Sequence, residues 1–213
     1  MKLKKMLLTG AMCFMVAFLA TGCSGDNKTA DKEEENIDLS YPISIAGHDI
    51  LVRETKIGEL IEEGFAINVF EKNEQGGIDR YEIDMDTKAE PDTYYSGGTI
   101  TKDGVIYASI ALVTDKDVDT MKDSVIARLE VSLGTNDFDP ADVSFAGIPL
   151  SELTFDKANE ELKGIKPYGE LKNYMAGSND DYDITLSFDN NGLINNCSVD
   201  GVYDVDWRSG NEK

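Results

Sequence analysis

The sequence predicts an α+β protein that is rich in sheet and contains two tandem copies of one unit: a strand, a short helix and an antiparallel meander. The first observation is a motif that occurs twice, as ISIAG at 43–47 and as VSFAG at 143–147, an offset of 100 residues. The second is a short helical pattern after each motif, and the third is a series of strand-like segments after each helix. Such a repeat indicates one structural unit used twice.

Each copy opens with a strand and a turn. Apolar and polar residues alternate in both motifs, which is the pattern of a half-buried strand. The Ala-Gly pair that ends each motif predicts a turn, because glycine adopts left-handed backbone conformations without strain.

A short helix is predicted next in the first copy. Thr55 is of the residue type that caps helices, and Ile57, Leu60 and Ile61 lie on one helical face. We expect Gly64 to end this helix.

The second copy has a similar helical pattern, one residue out of phase with the first. Here Asp156 is the expected cap, Ala158 and Leu162 share a face, and Gly164 is the expected stop. The two stop glycines are again 100 residues apart.

Strand-like segments complete each copy. They lie at 65–71, 79–84, 96–101 and 105–113 in the first copy, and at 182–188 and 193–199 in the second. Asp103-Gly104 and Asn191-Gly192 stand between apolar runs and predict hairpin turns.

A further strand closes the first copy at 124–133, where the pattern alternates. One face would carry Val125, Ala127, Leu129, Val131 and Leu133. The predicted organisation is therefore a first repeat at 41–134, a linker at 135–142, a second repeat at 143–207 and a disordered tail at 208–213. Whether the two copies share one sheet or form two domains stays open.

The N-terminus has the pattern of a secretory signal. Three lysines precede an apolar run at 6–20, and small residues then lead to Cys23. The run is shorter than the roughly 20 residues that a membrane-spanning helix needs. The segment Ala20-Thr21-Gly22-Cys23 resembles the lipobox of bacterial lipoproteins, although Ala20 stands where that family usually has leucine. An ordinary secreted protein is the alternative.

The lipobox resemblance implies cleavage between Gly22 and Cys23 and attachment of diacylglycerol to the Cys23 sulfur. Residues 1–22 would then be a signal peptide. Residues 23–40 would be a lipidated, flexible tether, because they hold few large apolar residues and cannot repay the entropy of ordering. The expected location is the outer face of the cell membrane, and the expected membrane contact is the lipid.

Charge and cysteine content agree with an exported protein. The full chain carries a net charge of −21, and removal of the three lysines within 1–22 leaves −24. Such a surface repels nucleic acid, so we expect no nucleic-acid partner. Cys13 leaves with the signal and Cys23 takes lipid, so Cys197 has no cysteine for an internal disulfide and is predicted to be a packed residue.

The second copy resembles the repeat of β-lactamase inhibitor proteins and of small outer-membrane assembly lipoproteins. The resemblance rests on LTFD at 153–156, the stop at Gly164, YDITLSFD at 182–189 and NGLI at 191–194. The first copy looks like domains of lipoproteins from low-GC Gram-positive bacteria. The resemblance implies a non-catalytic module that binds protein through a concave sheet.

Residues that could carry chemistry do not form a recognisable set. The spacing of four aspartates is that of the first part of a calcium loop, but Thr120 and Ile126 replace the glycine and glutamate that such a loop requires; these aspartates are Asp115, Asp117, Asp119 and Asp123. Asp180, Asp181 and Asp183 form a second acidic turn. His48 is the single histidine, which we interpret as a turn residue. We therefore predict no enzyme activity, no metal and no cofactor.

Aromatic residues give a weaker hint of a binding surface. Tyr94, Tyr95 and Trp207 have polar or turn-forming neighbours and are the partner-binding candidates. The sequence favours a lipid-anchored binding or scaffold module that recognises another envelope protein. A solute- or ion-binding lipoprotein and an envelope hydrolase are the alternatives, and the oligomeric state is left open.

Overall fold

The computed structural model describes residues 37–73, 75–134, 138–171, 173–203 and 208–209. Its helices are α1 (Ile57–Glu62) and α2 (Phe155–Glu161). Its strands are β1 (Ile43–Ile45), β2 (His48–Ile50), β3 (Ala66–Lys72), β4 (Ile78–Ile83), β5 (Thr93–Lys102), β6 (Val105–Thr114), β7 (Val125–Ser132), β8 (Val143–Phe145), β9 (Ile148–Pro149), β10 (Lys166–Pro167), β11 (Tyr174–Ser178), β12 (Tyr182–Phe188), β13 (Ile194–Gly201) and β14 (Arg208–Ser209). The predicted sheet-rich α+β class is confirmed.

The duplicated motifs form two equivalent hairpins. Ala46 and Gly47 have φ of 49° and 83°, and Ala146 and Gly147 have φ of 52° and 79°. Two successive left-handed residues make the turn type whose twist suits a two-residue hairpin. β1 and β8 then pair antiparallel, with Ser44 opposite Ser144, so that the four short strands form one sheet in the order β2-β1-β8-β9.

The helix starts differ from the prediction in both copies. Lys56, not Thr55, occupies the N-cap of α1, and the Thr55 hydroxyl accepts a hydrogen bond from the Leu51 N–H at 2.9 Å instead. In α2 the cap is Thr154, whose hydroxyl accepts from the Lys157 N–H at 3.2 Å, so the expected cap Asp156 lies inside the first turn. A side chain can cap only when its backbone is extended at that point, which residue type alone does not reveal.

The stop of α1 follows the prediction. Gly64 has φ +83°, its N–H donates to the carbonyl of Ile61, and the Phe65 N–H donates to the carbonyl of Leu60. This pair of hydrogen bonds is the Schellman arrangement, which satisfies the last carbonyls of a helix. The expected stop of α2 at Gly164 is wrong, because α2 ends at Glu161 with an extended C-cap at Leu162, and Gly164, with φ +79°, lies two residues beyond that cap.

The remaining strands form a single ten-stranded sheet to which both copies contribute. Its order is β10-β11-β12-β13-β7-β6-β5-β3-β4, and β14 pairs in parallel with β5. In the first copy the first strand after the helix, β3, pairs with both β4 and β5, and in the second copy the first strand after the helix, β10, pairs with β11. The last strands of the two copies, β7 and β13, pair antiparallel.

The two copies are therefore joined at two places by pairs of equivalent strands, β1 with β8 and β7 with β13. Each of these antiparallel pairs of equivalent strands has a local twofold axis, as at a symmetric dimer interface. This arrangement answers the open question, because the copies share both sheets rather than forming separate domains.

The predicted linker and tail also carry structure where they are described. Phe138, within the linker at 135–142, is buried and stacks on Tyr107 with ring centroids 5.4 Å apart. Arg208 and Ser209, which we expected to be disordered, instead pair with Thr93 and Tyr94. The end of the predicted tether at 23–40 is packed as well, since Leu39 is a buried core residue and the Ile37 carbonyl accepts a hydrogen bond from the Asn179 side-chain amide at 2.9 Å. Tertiary contacts order these described residues, although the sequence around them is polar.

One main apolar core contains residues of the small sheet, of both helices and of the ten-stranded sheet. Its members include Ile45, Phe145, Ile57, Ala158 and Leu129. The small sheet and the helices therefore cover one face of the ten-stranded sheet. We call the opposite side of that sheet the outer face.

Strand β7 departs from the predicted alternation. Ile126 joins the main core with Leu129 and Val131, whereas Ala127 belongs to a separate small cluster with Ala111. The β6–β7 register shifts at this point, which inserts one extra residue in β7. A bulge of this kind reverses which residues face the core, because side chains alternate strictly along a strand.

Candidate functional site

The outer face carries a band of polar side chains where the two copies meet. Three register pairs on β7 and β13 form it: Arg128 opposite Asp200, Glu130 opposite Ser198, and Ser132 opposite Asn196. We call these six residues the junction strip. The copies contribute three residues each, so the strip exists only because β7 and β13 pair.

Hydrogen bonds and ion pairs connect the strip internally. The Arg128 Nη2 lies 2.6 Å from the Glu130 Oε2, and its Nε lies 3.3 Å from the Asp200 Oδ1. The Asn196 amide donates to Glu130 at 2.9 Å and to Ser132 at 2.7 Å. The Ser198 hydroxyl donates to Asp200 at 2.9 Å. Side chains held in this way present a preorganised polar surface.

The strip has more negative than positive charge. Two carboxylates, Glu130 and Asp200, share the single guanidinium of Arg128. Burial raises the pKa of Asp200, although the hydrogen bond from Ser198 and the cation of Arg128 lower it. The nearby carboxylates of Asp183 and Glu130 add to the rise. The local charge of −1 is therefore uncompensated within the strip.

A groove of about 130 Å³ lies beside the strip on the outer face, and we call it the bulge groove. It follows the irregularity in β5 where the register to β6 shifts between Tyr95 and Gly98. The groove is lined by Phe70, Ser96, Gly97, Gly98, Ser109, Ile110, Arg128 and Glu130. Arg80 lies over one wall, with its guanidinium carbon 5.5 Å from the centre of the Phe70 ring.

The two glycines of the groove have different roles. A Cβ at Gly98 would lie 2.5 Å from the main-chain oxygen of Asn68, so this position requires glycine for the close approach of β3 to β5. A Cβ at Gly97 would meet only the Phe70 side chain, at 3.5 Å or more. Gly97 is therefore not required by packing, and its missing side chain leaves the groove open.

The aromatic residues predicted to bind a partner lie on opposite sides of the ten-stranded sheet where they are described. Tyr95 is a core residue with 5 % exposure, and its hydroxyl accepts a hydrogen bond from the Glu90 N–H, so it offers no surface to a partner. Tyr94 is half-buried on the outer face against the small cluster that contains Ala111. Trp207 lies outside the described residues. Polar sequence neighbours misled the choice of Tyr95 because alternate residues of a strand face opposite sides.

The acidic segments show no coordination geometry in the described part of the chain, which contains no group of three or more His, Cys, Asp or Glu side chains placed to hold a metal. In the predicted loop, Asp123 instead accepts a hydrogen bond from Thr120 and pairs with Lys56. In the second acidic turn, Asp181 pairs with Arg53 at 2.8 Å. These carboxylates have structural partners.

His48 and Cys197 are also engaged in packing. The interpretation of His48 as a turn residue is wrong, because the turn is completed by Ala46 and Gly47 and His48 is the first residue of β2. Its ring is edge-on to Phe65 and its Nε2 lies 3.2 Å from the Lys102 Nζ. Cys197 is a free, buried thiol in β13, and burial raises its pKa. The sequence interpretation of Cys197 as a packed residue is confirmed.

Sequence reasoning missed the junction strip. The predicted alternation of 124–133 leaves Arg128, Glu130 and Ser132 on the face opposite Leu129 and Val131, and polar residues alternate in the same way in β13, at Asn196, Ser198 and Asp200. What it lacked was the pairing of β7 with β13, which lie far apart in sequence. Two strands with matching polar faces in equivalent positions of a repeat are the signal that could have found it.

Comparison with known proteins finds no matching family, no similar curated protein and no matching solved structure. None of the helices in the described residues is long and apolar enough to cross a bilayer. Gly22 and Cys23 lie outside the described residues.

Proposed function

We propose that this chain is a lipid-anchored, extracytoplasmic binding module without catalytic activity, and that it recognises another protein of the cell envelope through its outer face. The observation that carries the proposal is the junction strip, an ordered polar surface on the side of the sheet opposite the core. The side chains of the strip are held by hydrogen bonds and ion pairs with one another, so their arrangement needs no catalytic role to explain it.

The anchor comes from the N-terminal sequence. The lipobox-like segment that ends at Cys23 supports attachment to a membrane by acyl chains, and the polar composition of residues 24–36 supports a flexible connection up to the packed residues at 37–40. A chain of about 13 residues of this composition spans on the order of 20 Å on average. The outer face could therefore reach partners close to the membrane.

A protein partner fits this surface better than a small molecule does. Small-molecule pockets usually enclose about 300–1,000 Å³ and bury most of their ligand. The bulge groove has about 130 Å³, which is below this range, and it lies beside the polar junction strip on the outer face. Ordered polar groups on a rigid sheet suit contact with a surface of complementary shape and charge.

The partner surface should be basic. The mature chain carries −24 after loss of the three lysines of residues 1–22 from the total of −21. The junction strip itself holds two carboxylates against one guanidinium. Complementary charge increases the association rate and selects against acidic partners.

Site-specific photo-cross-linking in the native host tests the proposal. A photoreactive residue replaces Ser109, which is exposed on the outer face, or Asn159, which is exposed on α2. We expect a cross-linked species of one defined mass from position 109 and none of that mass from position 159. No adduct from position 109, or the same adducts from both positions, would contradict recognition through the outer face.

A further inference from the structure

We infer that the turn between β10 and β11 inserts into the surface of the membrane that holds the lipid anchor, so that this edge of the ten-stranded sheet faces the bilayer. We call residues 168–173 the edge turn. The inference rests on the anchor of the proposed function and specifies how the anchored domain is oriented. Exposed apolar side chains, the local charge and the position at which the predicted tether joins the domain each support it.

The edge turn exposes two large apolar side chains three residues apart. Tyr168 is 61 % exposed and Leu171 is 52 % exposed, and no other two exposed large apolar residues in the described part of the chain lie so close in sequence. The Leu171 N–H donates to the Tyr168 carbonyl, and the Tyr168 ring is edge-on to Tyr174 with ring centroids 5.8 Å apart. These contacts hold both side chains on an ordered turn.

Tyrosine and leucine suit the boundary between lipid headgroups and acyl chains. Tyrosine combines an apolar ring with a polar hydroxyl, and it is enriched at this depth in membrane proteins. Leucine gains free energy when it leaves water. Amphipathic helices at membranes bury their apolar face about 5–10 Å into this boundary, a depth that two side chains at the end of a turn can reach.

The sequence around the edge turn is not acidic, unlike the rest of the mature chain. Residues 160–174 hold three lysines and three glutamates, so the whole net charge of −24 lies in the other residues. Two of these glutamates, Glu160 and Glu161, belong to α2, and residues 163–174 alone carry a net +2. An anionic membrane surface therefore repels the remainder of the domain and attracts this edge.

The predicted tether joins the domain close to the same edge. The Ile37 carbonyl accepts a hydrogen bond from the Asn179 side-chain amide at 2.9 Å. Asn179 directly follows β11, so it lies five strand residues, or about 17 Å, from Tyr174 next to the edge turn. Since residues 24–36 span on the order of 20 Å, a lipid on Cys23 leaves the edge turn within reach of the same bilayer.

Fluorescence quenching in vesicles tests the inference. The lipidated chain is purified from membranes of the native host and reconstituted in vesicles of equimolar phosphatidylcholine and phosphatidylglycerol. An environment-sensitive fluorophore is attached to Leu171→Cys or, as the matched control, to Ile78→Cys, while the buried Cys197 stays unlabelled in the folded chain. We expect spin-labelled phosphatidylcholine to quench the fluorophore at position 171 and not the one at position 78.

Position 78 is a strict control because it matches the exposure and differs in place. Ile78 is 75 % exposed, so a fluorophore there has the same freedom to enter lipid. It lies in β4, at the other end of the sheet order, eight strand spacings or about 38 Å from β10 along the sheet.

Variants that carry the fluorophore at position 171 separate the charge from the apolar contact. Lys166→Gln removes a cation near the edge turn, and Lys116→Gln makes the same change at an exposed position after β6. One lysine near an anionic surface changes the ratio of inserted to free turns roughly fivefold. We expect that loss for Lys166→Gln and less than about twofold for Lys116→Gln. Tyr168→Ser should reduce quenching in vesicles of pure phosphatidylcholine as well, because it removes apolar contact.

The outcomes distinguish this inference from the proposed function. An absence of quenching at position 171, or equal quenching at positions 171 and 78, would overturn the assignment of the edge turn to the bilayer. Lipid on Cys23 and cross-linking from position 109 would then still support an anchored module with a partner on its outer face. A chain recovered without lipid on Cys23 would remove the anchor and this inference together.

Discussion

Alanine substitution of two neighbouring glycines should have opposite consequences for stability. Gly97 and Gly98 lie in the same irregular part of β5, and neither has a left-handed φ. A Cβ at position 98 would lie 2.5 Å from the Asn68 main-chain oxygen and 3.1 Å from the Ile110 Cγ1. A Cβ at position 97 would approach nothing closer than 3.5 Å.

The difference in unfolding free energy follows from these distances. For Gly98→Ala, the Asn68 carbonyl belongs to β3, which pairs with β5, so it cannot move without weakening that ladder. Inserting a methyl group into such a site typically costs about 1–3 kcal/mol, and the main-chain clash places this site near the upper end. For Gly97→Ala, the smaller entropy of the unfolded chain stabilises by about 0.4–1 kcal/mol.

Urea unfolding of the two full-length variants, followed by circular dichroism, measures the contrast. We expect the free energy of unfolding to fall by about 3 kcal/mol in Gly98→Ala and to rise by about 0.4–1 kcal/mol in Gly97→Ala. With roughly 2–4 °C per kcal/mol for a domain of this size, the Tm of Gly98→Ala should fall by about 6–12 °C. Two variants within about 0.5 kcal/mol of each other would refute the described geometry of β5, and with it the bulge groove.

Three further predictions concern the helix cap, the junction strip and the buried thiol. Thr154→Ala should lower the free energy of unfolding, measured by urea titration, by about 1 kcal/mol, because Thr154 caps α2. Asp156→Ala should change it by less than about 0.5 kcal/mol, and equal losses in the two variants would contradict this cap. In an NMR titration the pKa of Asp200 should lie above 3.8 and rise further in Arg128→Met, because that cation lowers it. Since folding raises the pKa of Asp200, the stability that this residue contributes is present below pH 3.8 and is lost as the pH rises through the pKa of the folded state. An Asp200 pKa below 3.8 would contradict the burial of this carboxyl group. Cys197 should react with iodoacetamide only as fast as the chain unfolds, measured by mass spectrometry, because its pKa is raised and its side chain is buried; rapid labelling of the folded chain would contradict its packing.

The local elements of the fold could be predicted because their signals lie within a few residues. The Ala-Gly turns have the left-handed backbone that the two hairpins need. Asn-Gly at 191–192 likewise lies between β12 and β13, as expected for a hairpin. A repeat with a fixed offset of 100 residues also indicated correctly that one unit occurs twice.

Long-range pairing could not be predicted from these signals. The junction strip depends on β7 meeting β13, and only a comparison of the polar faces of the two strands, not the pattern of either strand alone, points to that pairing. The bulge at Ala127 depends on the register to β6, so the simple alternation of 124–133 gave the wrong faces for part of the strand. Tyr95 was misplaced for a similar reason, because its burial follows from the sheet and not from its sequence neighbours.

The proposed role at the envelope depends on processing at Cys23. Mass spectrometry of the N-terminal peptide, isolated from membranes of the native host, tests this most directly. We predict a chain that starts at Cys23 and carries diacylglycerol on its sulfur, with residues 1–22 absent. A chain that retains these residues, with an unmodified thiol at position 23, would contradict both the anchor and a partner outside the cytoplasm.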